Sequence, residues 1–155
     1  MKELIVYYSL TGANEKVAFA LKEILGCEIK KIFEFKNRKG FFMFFENGFD
    51  AITKRLTNIE DFKIALFGFD RVILFTPIWA GCLPPATRTF LKKYGNKIKN
   101  LEVVSVSGFG NKNRGFIGDV NKTIGRDIPK ALFITENNVK DGSYRGILEK
   151  FFNNR

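Results

Sequence analysis

Two patterns of apolar residues alternate along the chain. Short runs rich in β-formers predict buried strands, and apolar residues spaced three and four apart predict helices. The predicted strands are 2–8, 27–33, 71–76, 101–107 and 131–135, and the predicted helices are 13–25, 84–94, 114–126 and 143–153. Such alternation indicates βαβ units and a parallel sheet. Five strands fit the doubly wound order 2-1-3-4-5, in which ligands bind at the carboxyl ends of the strands beside the switch point.

The segment 34–70 is too long for a simple helical connection. One helical stripe within it holds four apolar residues: Phe41, Phe45, Phe49 and Ile52. Five phenylalanines within nine residues are more than a surface helix exposes, so the pattern predicts a helix over 41–52 that packs against the domain. A basic cluster lies just upstream, at Lys36, Arg38 and Lys39. The alternatives are that this segment forms a lid, a dimer interface or a membrane-surface element, and the basic cluster supports surface attachment.

Composition excludes several kinds of chemistry. The 155-residue chain contains no histidine, which excludes serine–histidine triads, cysteine–histidine pairs and histidine-ligated metal sites. Its two cysteines, Cys27 and Cys82, have no zinc-binding spacing, so no metal site is expected. Two thiols without a signal-peptide pattern or a long apolar stretch indicate a cytoplasmic protein. The length predicts a single domain over residues 1–155.

The formal net charge of +10 favours an anionic partner. A phosphorylated ligand, a nucleic acid, an acidic protein and a membrane surface all satisfy that charge, and a compositional bias of the host would also produce it. No nucleic-acid-binding motif accompanies the charge, so nucleic acid is not expected.

The stretch "YYSLTGANEKVAFAL" joins the first strand to the first helix. A helix beginning near residue 13 leaves its first N–H groups unpaired and partly positive, and these groups attract phosphate. Ser9, Thr11 and Asn14 can add side-chain donors, and Gly12 permits close approach of the backbone. The loop has no lysine and no nucleoside-triphosphate motif, so a phosphate monoester is expected. An ordinary helix cap is the alternative.

Two further loops follow neighbouring strands. "FTPIWAGCLPP" contains the only tryptophan, Trp79, which can stack on a flat ligand beside the small residues Ala80 and Gly81. The loop 107–111, "SGFGN", follows the fourth strand with two glycines and Phe109. Cys82 is interpreted as a small loop filler, because no positive side chain is adjacent in sequence. Together the three loops predict a site for a phosphorylated planar heterocycle.

These motifs resemble the flavodoxin-like family, whose members bind flavin mononucleotide (FMN). Ser9, Thr11 and Gly12 match its T/S-x-T-G-x-T phosphate loop, with Asn14 in place of the last threonine. "TPIWAGCLPPATRTFL" and "RKGFFMFFENGFDA" resemble segments of a single-domain branch, and the likeness covers roughly residues 1–115. The acidic residue that electron-carrier flavodoxins usually have in the third loop is missing. The resemblance implies FMN contacts from three loops: Ser9, Leu10, Thr11, Gly12, Ala13, Asn14, Thr76, Pro77, Ile78, Trp79, Ala80, Gly81, Ser107, Gly108, Phe109, Gly110 and Asn111.

Three functions remain open under this resemblance. The first is an FMN-dependent oxidoreductase that exchanges electrons with a small acceptor such as a quinone or another flavin, with NAD(P)H as a candidate donor. The second is an electron-transfer carrier that docks on acidic redox partners. The third is a domain that has lost the cofactor and serves as a binding module. No side chain can be named as a catalytic acid or base, attachment to a membrane is not expected, and a homodimer stays open.

Overall fold

A computed structural model describes residues 1–40, 42–108 and 113–153. A five-stranded parallel sheet lies at its centre, in the order β2-β1-β3-β4-β5. The strands are β1 Glu3–Tyr7, β2 Glu28–Lys31, β3 Arg71–Phe75, β4 Leu101–Ser107 and β5 Lys130–Thr135. The predicted doubly wound order is confirmed. The switch point lies between β1 and β3, which pair in register from Glu3 opposite Arg71 to Tyr7 opposite Phe75.

Six α-helices surround the sheet within the described ranges. They are α1 Ala13–Leu25, α2 Met43–Ile52, α3 Pro85–Tyr94, α4 Arg114–Ile124, α5 Glu136–Asp141 and α6 Tyr144–Asn153. The predicted bounds of α1 are confirmed, and Gly26 ends this helix in the left-handed conformation. The sequence reading missed α5, which has no buried residue and therefore no apolar periodicity. No helix in the described part of the chain is long and apolar enough to cross a membrane.

Separate apolar cores cover the two faces of the sheet. On one face, Leu4, Val6 and Leu74 pack in a cluster with side chains of α3 and α4 that include Phe90 and Phe116. On the other face, alternate residues of the same strands cluster with apolar side chains of α1 and α6. Successive side chains of a strand point to opposite faces, so the continuous apolar runs "LIV" and "VIL" follow from burial on both sides.

The prediction that the aromatic segment packs inward is wrong. A helix forms there, but Phe44, Phe45 and Phe49 are more than half exposed. The buried face of α2 consists of Asn47, Asp50 and Ala51. Phe41, which the prediction placed on the stripe, lies outside the described residues.

A buried arginine explains why the polar face of α2 turns inward. Arg38 is 3% exposed, and its Nη1 donates to Asn47 Oδ1 and Asp50 Oδ2, both at 3.0 Å. Its Nε donates to Glu34 Oε1 at 2.7 Å. A buried cation requires such partners, and α2 supplies two of them.

Candidate functional site

The loop between β1 and α1 lies at the carboxyl edge of the sheet. Gly12 is the N-cap of α1 and has φ of 93°, a left-handed conformation that favours glycine. Its N–H donates to Ser9 Oγ at 3.1 Å, which closes the loop. Gly12 has no side chain that could cap α1, so the first turn keeps the partial positive charge of a helix N-terminus. A helix N-terminus of this kind favours an anion.

A cavity of ≈ 510 Å³ opens beside this loop. One wall is Tyr8–Gly12 with Glu15, and the other is the segment 31–39. The volume lies in the usual range for small-molecule sites. Four lining residues are basic (Lys31, Lys36, Arg38 and Lys39) and two are acidic (Glu15 and Glu34). Lys31, Lys36 and Arg38 are ion-paired with carboxylates, so the exposed Lys39 and the N-terminus of α1 are what would favour an anionic ligand.

Sequence reasoning missed the wall formed by residues 31–39. A signal for it was present, because this segment follows β2, whose carboxyl end lies at the same edge as that of β1. Its sequence, "KIFEFKNRK", contains two aromatic and four basic side chains. Phe33 and Phe35 are both more than half exposed at the cavity. The wall therefore presents aromatic rings as well as positive charge.

Two predicted site residues have side chains engaged elsewhere. Asn14 is 3% exposed, and its amide pairs with the backbone of Val106 on β4, with Oδ1 accepting at 3.0 Å and Nδ2 donating at 3.4 Å. The Thr76 hydroxyl lies 2.8 Å from the Thr87 hydroxyl on α3. These side chains fix the loop ends to the body of the protein. The amide donor that sequence reasoning assigned to the ligand is already satisfied.

The loop after β3 folds into a tight hairpin. The backbone of Trp79 exchanges two hydrogen bonds with that of Cys82, at 3.0 and 2.9 Å. Ala80 and Gly81 form the tip with φ of 46° and 76°. Positive φ at both central residues is typical of a two-residue type I′ turn.

Trp79 connects this hairpin to the cavity wall. Its ring lies edge-on to that of Tyr8, with 5.9 Å between ring centroids. The guanidinium of Arg38 lies 5.5 Å from the centroid of the indole. Pro77, Ile78 and Trp79 are each partly buried, and Ile78 and Trp79 pack on a core of the sheet. The structure therefore brings the first and second loops together.

The strained alanine at the hairpin tip leads to a stability prediction. A left-handed conformation costs a residue with a Cβ about 1–2 kcal/mol. We expect Ala80→Gly to raise the free energy of unfolding by about 1 kcal/mol, less than the full strain because glycine also gains entropy in the unfolded chain. Urea denaturation measures the change. The matched control is Gly81→Ala, which should lower stability by about as much, since a Cβ there meets no atom within 4 Å and only backbone strain is added. A loss of stability in Ala80→Gly would contradict the assigned turn.

The third predicted loop is described only at its start. Ser107 is half-buried at the end of β4, and Gly108 is exposed. Phe109, Gly110 and Asn111 lie outside the described residues. A Cβ placed on Gly108 would lie 3.9 Å from the carboxyl carbon of Glu136, the first residue of α5. The carboxyl group of Glu136 therefore lies beside the start of this loop.

Two tyrosines beside the cavity are held neutral. The Tyr8 hydroxyl donates to Glu34 Oε2 at 2.6 Å. Burial is the main cause that raises the pKa of Tyr8 far above its usual range, and the Glu34 carboxylate raises this pKa further. Burial and a hydrogen bond to Glu15 raise the pKa of Tyr7 to about 12. Neither phenol loses its proton near neutral pH, so both serve as hydrogen-bond donors.

A cluster of ionised groups lies behind the hairpin. Arg88 Nη1 and Nη2 donate to the two carboxylate oxygens of Asp119 at 2.9 and 2.7 Å, and Asp119 Oδ2 also accepts from the N–H of Leu83 at 2.9 Å. Lys54 Nζ lies 3.0 Å from both Asp119 Oδ1 and Cys82 Sγ. The positive charge of Arg88 is therefore neutralised, and Cys82 has a cationic neighbour that its local sequence did not reveal.

Comparison with solved structures identifies the architecture. A flavoprotein from Lactobacillus acidophilus, solved in complex with FMN, has a TM-score of 0.71 and 21% identity over 92% of this chain and 98% of its own. The apo-form from the same organism has a TM-score of 0.65 and 19% identity, covering 90% and 95%. Oxidised flavodoxin 2 from Bacillus cereus has a TM-score of 0.57 and 16% identity, covering 98% and 100%.

This chain has a flavodoxin-like fold. Neither a protein-family model nor a curated protein sequence matches it. The similarity therefore lies in the arrangement of strands and helices, and the strand order expected from the sequence agrees with it.

Proposed function

We propose that the protein binds FMN and acts as a redox flavoprotein, exchanging electrons with a small acceptor such as a quinone or another flavin. The observation that carries this proposal is the N-terminus of α1, which has no side-chain cap and lies at a cavity beside Trp79. The similar Lactobacillus acidophilus structure holds FMN, which supports the same ligand here. When bound, the flavin would supply the electron-transfer chemistry, and the protein would supply binding and electrostatics.

The phosphate of FMN is assigned to the first loop. Ser9 and Thr11 would donate through their hydroxyls, and Ala13 and Asn14 through the backbone N–H groups at the start of α1. Leu10 lines the same wall of the cavity, and Gly12 provides the left-handed turn. A phosphate monoester is assigned to this loop because the loop has no lysine of the kind that nucleoside-triphosphate sites use, and because the exposed Lys39 lines the same cavity.

The flat ring is assigned to the second and third loops. Trp79 offers an aromatic face, and Ala80 and Gly81 offer exposed backbone at the hairpin tip. Thr76, Pro77 and Ile78 connect β3 to this hairpin. Ser107 and Gly108 begin the opposite side, which the predicted contacts of Phe109, Gly110 and Asn111 would complete.

An electron carrier that docks on a protein partner is the second candidate. The exposed rings of Phe33 and Phe35 at the cavity favour it, because exposed apolar side chains beside a redox site suit transient docking. The two functions differ in their turnover. An enzyme oxidises NADH or NADPH and reduces a quinone by itself, whereas a carrier does so only with a reductase and an acceptor protein present.

Flavin titration tests the proposal directly. FMN, riboflavin and FAD are each added to the purified protein while visible absorption and Trp79 fluorescence are followed. We expect FMN to bind more tightly than riboflavin or FAD and to quench the fluorescence. Retention of FAD in preference to FMN, or no flavin binding at micromolar concentration, would contradict the proposal. Anaerobic addition of NADH, NADPH and a quinone then separates enzyme from carrier.

The phosphate assignment predicts a selective effect of Thr11→Val. This variant removes one hydroxyl donor while keeping the β-branched shape. A hydrogen bond to a charged group contributes about 1.5–3 kcal/mol, so the Kd for FMN should rise by about 10–100-fold. Riboflavin has no phosphate and serves as the internal control, with an unchanged Kd in calorimetric titration. An equal loss for both flavins would show that Thr11 does not contact the phosphate.

A further inference from the structure

The outward side of α2 is an apolar surface on an otherwise charged region. Four side chains form what we call the phenylalanine face: Phe44, Phe45, Phe49 and Ile52. They are 77%, 69%, 55% and 57% exposed. Contiguous apolar patches of this kind on soluble proteins mark sites of protein or membrane interaction.

The phenylalanine face cannot turn inward without breaking buried ion pairs. On the opposite side of α2, Asp50 accepts from Arg38, and Lys36 bridges Asp50 at 3.1 Å and also pairs with Glu46. Lys36 thereby ties the helix to the wall of the cavity. The helix is therefore held with its apolar side outward, and this orientation is built into the fold.

Positive charge borders the face at both ends. Between residues 36 and 56 the chain carries five basic side chains and two acidic ones, Glu46 and Asp50, and both acids are ion-paired. Lys39 is exposed before the helix. Lys54 and Arg55 are exposed after it, where Lys54 pairs with Asp119 and Arg55 pairs with Asp50. An apolar helix face bordered by cations has the chemistry that binds an anionic bilayer surface.

We propose that α2 docks the protein peripherally on an anionic lipid bilayer, with the phenylalanine face inserted among the headgroups. Charge decides against a second copy of this chain, because dimerisation would bring two proteins of net charge +10 together. Membrane attachment was not expected from the sequence because the phenylalanines were predicted to pack inward, whereas in the structure they are exposed. This docking goes beyond the proposed FMN chemistry and is independent of it.

Co-sedimentation of the full chain with vesicles tests the docking. We expect pelleting with phosphatidylglycerol vesicles, weaker binding at high salt, and little binding to phosphatidylcholine vesicles. Phe44→Ser with Phe45→Ser should weaken binding by at least about tenfold, because each inserted ring contributes apolar burial. The matched control is Phe19→Ser with Phe67→Ser, which changes two exposed phenylalanines outside α2 and should leave binding unchanged.

Four results would overturn the proposal. One is the absence of pelleting with phosphatidylglycerol vesicles. A second is equal loss of binding in the α2 pair and the control pair. The third is a dimer in sedimentation velocity that the α2 pair dissociates, which would assign the face to a second copy. Tight binding to an acidic protein without vesicle binding likewise overturns it, and circular dichroism verifies that each variant is folded.

Discussion

We expect Asp119→Ala to lower the free energy of unfolding by about 3–5 kcal/mol, because it leaves Arg88 buried and uncompensated. Arg88 is 3% exposed, and both of its terminal nitrogens donate to this carboxylate. The substitution also removes the acceptor of the Leu83 N–H, which holds the end of the Trp79 hairpin. Urea denaturation measures the loss, and the fluorescence of Trp79 reports on the hairpin.

Acid stability should change in the same variant. Burial raises the pKa of Asp119, but hydrogen bonds from Arg88 and the Leu83 N–H outweigh it and lower the pKa to about 2. A carboxyl whose pKa is lower in the folded state than in the unfolded state stabilises the folded protein. This contribution is fully present above the unfolded pKa of about 3.9 and is lost as the pH falls through the folded pKa of about 2. This shift corresponds to about 2 kcal/mol. Asp119→Ala should therefore lose less stability than the wild type between pH 4 and pH 2.

Lys54→Met is the matched control for Asp119. Lys54 contacts the same carboxylate at 3.0 Å, but its side chain is 48% exposed. Exposed ion pairs contribute little, so this change should cost about 1 kcal/mol or less. Equal losses in Lys54→Met and Asp119→Ala would contradict the view that burial of Arg88 is the cause. Replacing both Arg88 and Asp119 by apolar residues should recover part of the stability, as found for other buried pairs.

The fold was predictable because its signals are local. The apolar runs of β1 and β3 are buried on both faces, and the helical spacing of α1 ends at a glycine with φ of 62°. Both patterns are complete within a few residues. The short helix α5 was not predicted, because its sequence signal is a capping box between Thr135 and Asn138 and it has no apolar stripe.

The orientation of α2 was not predictable from its own residues. Periodicity identifies an apolar side of a helix but not which side meets the protein. Here Arg38, five residues before the helix, requires buried acceptors, and Asn47 and Asp50 provide them. The free energy of leaving a guanidinium buried and unpaired exceeds what exposed phenylalanines cost, so the polar side faces inward.

The candidate site was predictable in part for the same reason. The predicted ends of β1 and β3 gave the positions of the loop before α1 and of the Trp79 hairpin, and the structure places both beside one cavity. Side-chain partners came from distant segments. Asn14 pairs with Val106, so its amide is not the free donor that its sequence position suggested. Arg88 likewise pairs with Asp119, 31 residues away along the chain. Sequence spacing carries no information on contacts of this range.

We expect Arg38→Met to cause the second large loss of stability and to loosen α2 before the rest of the protein. The variant keeps the length of the side chain but leaves Glu34 and Asp50 without their shared cation, at a cost of about 3–5 kcal/mol. Hydrogen exchange should rise across residues 43–52 before the sheet unfolds, because these pairs attach the helix to the domain. Trp79 fluorescence should also change, since the guanidinium over the indole is lost.

Arg55→Met provides the control, because Arg55 pairs with the same Asp50 at 3.2 Å while its side chain is 59% exposed. We expect a loss of about 1 kcal/mol or less and unchanged exchange in α2. Burial raises the pKa of Asp50, but hydrogen bonds from Arg38 and Lys36 outweigh it and lower the pKa. The stability that Asp50 provides is therefore present above its unfolded pKa and is lost as the pH falls through the depressed folded value. Arg38→Met should move this loss to higher pH, and Arg55→Met should not; equal shifts in both variants would show that burial of Arg38 does not hold α2 in place.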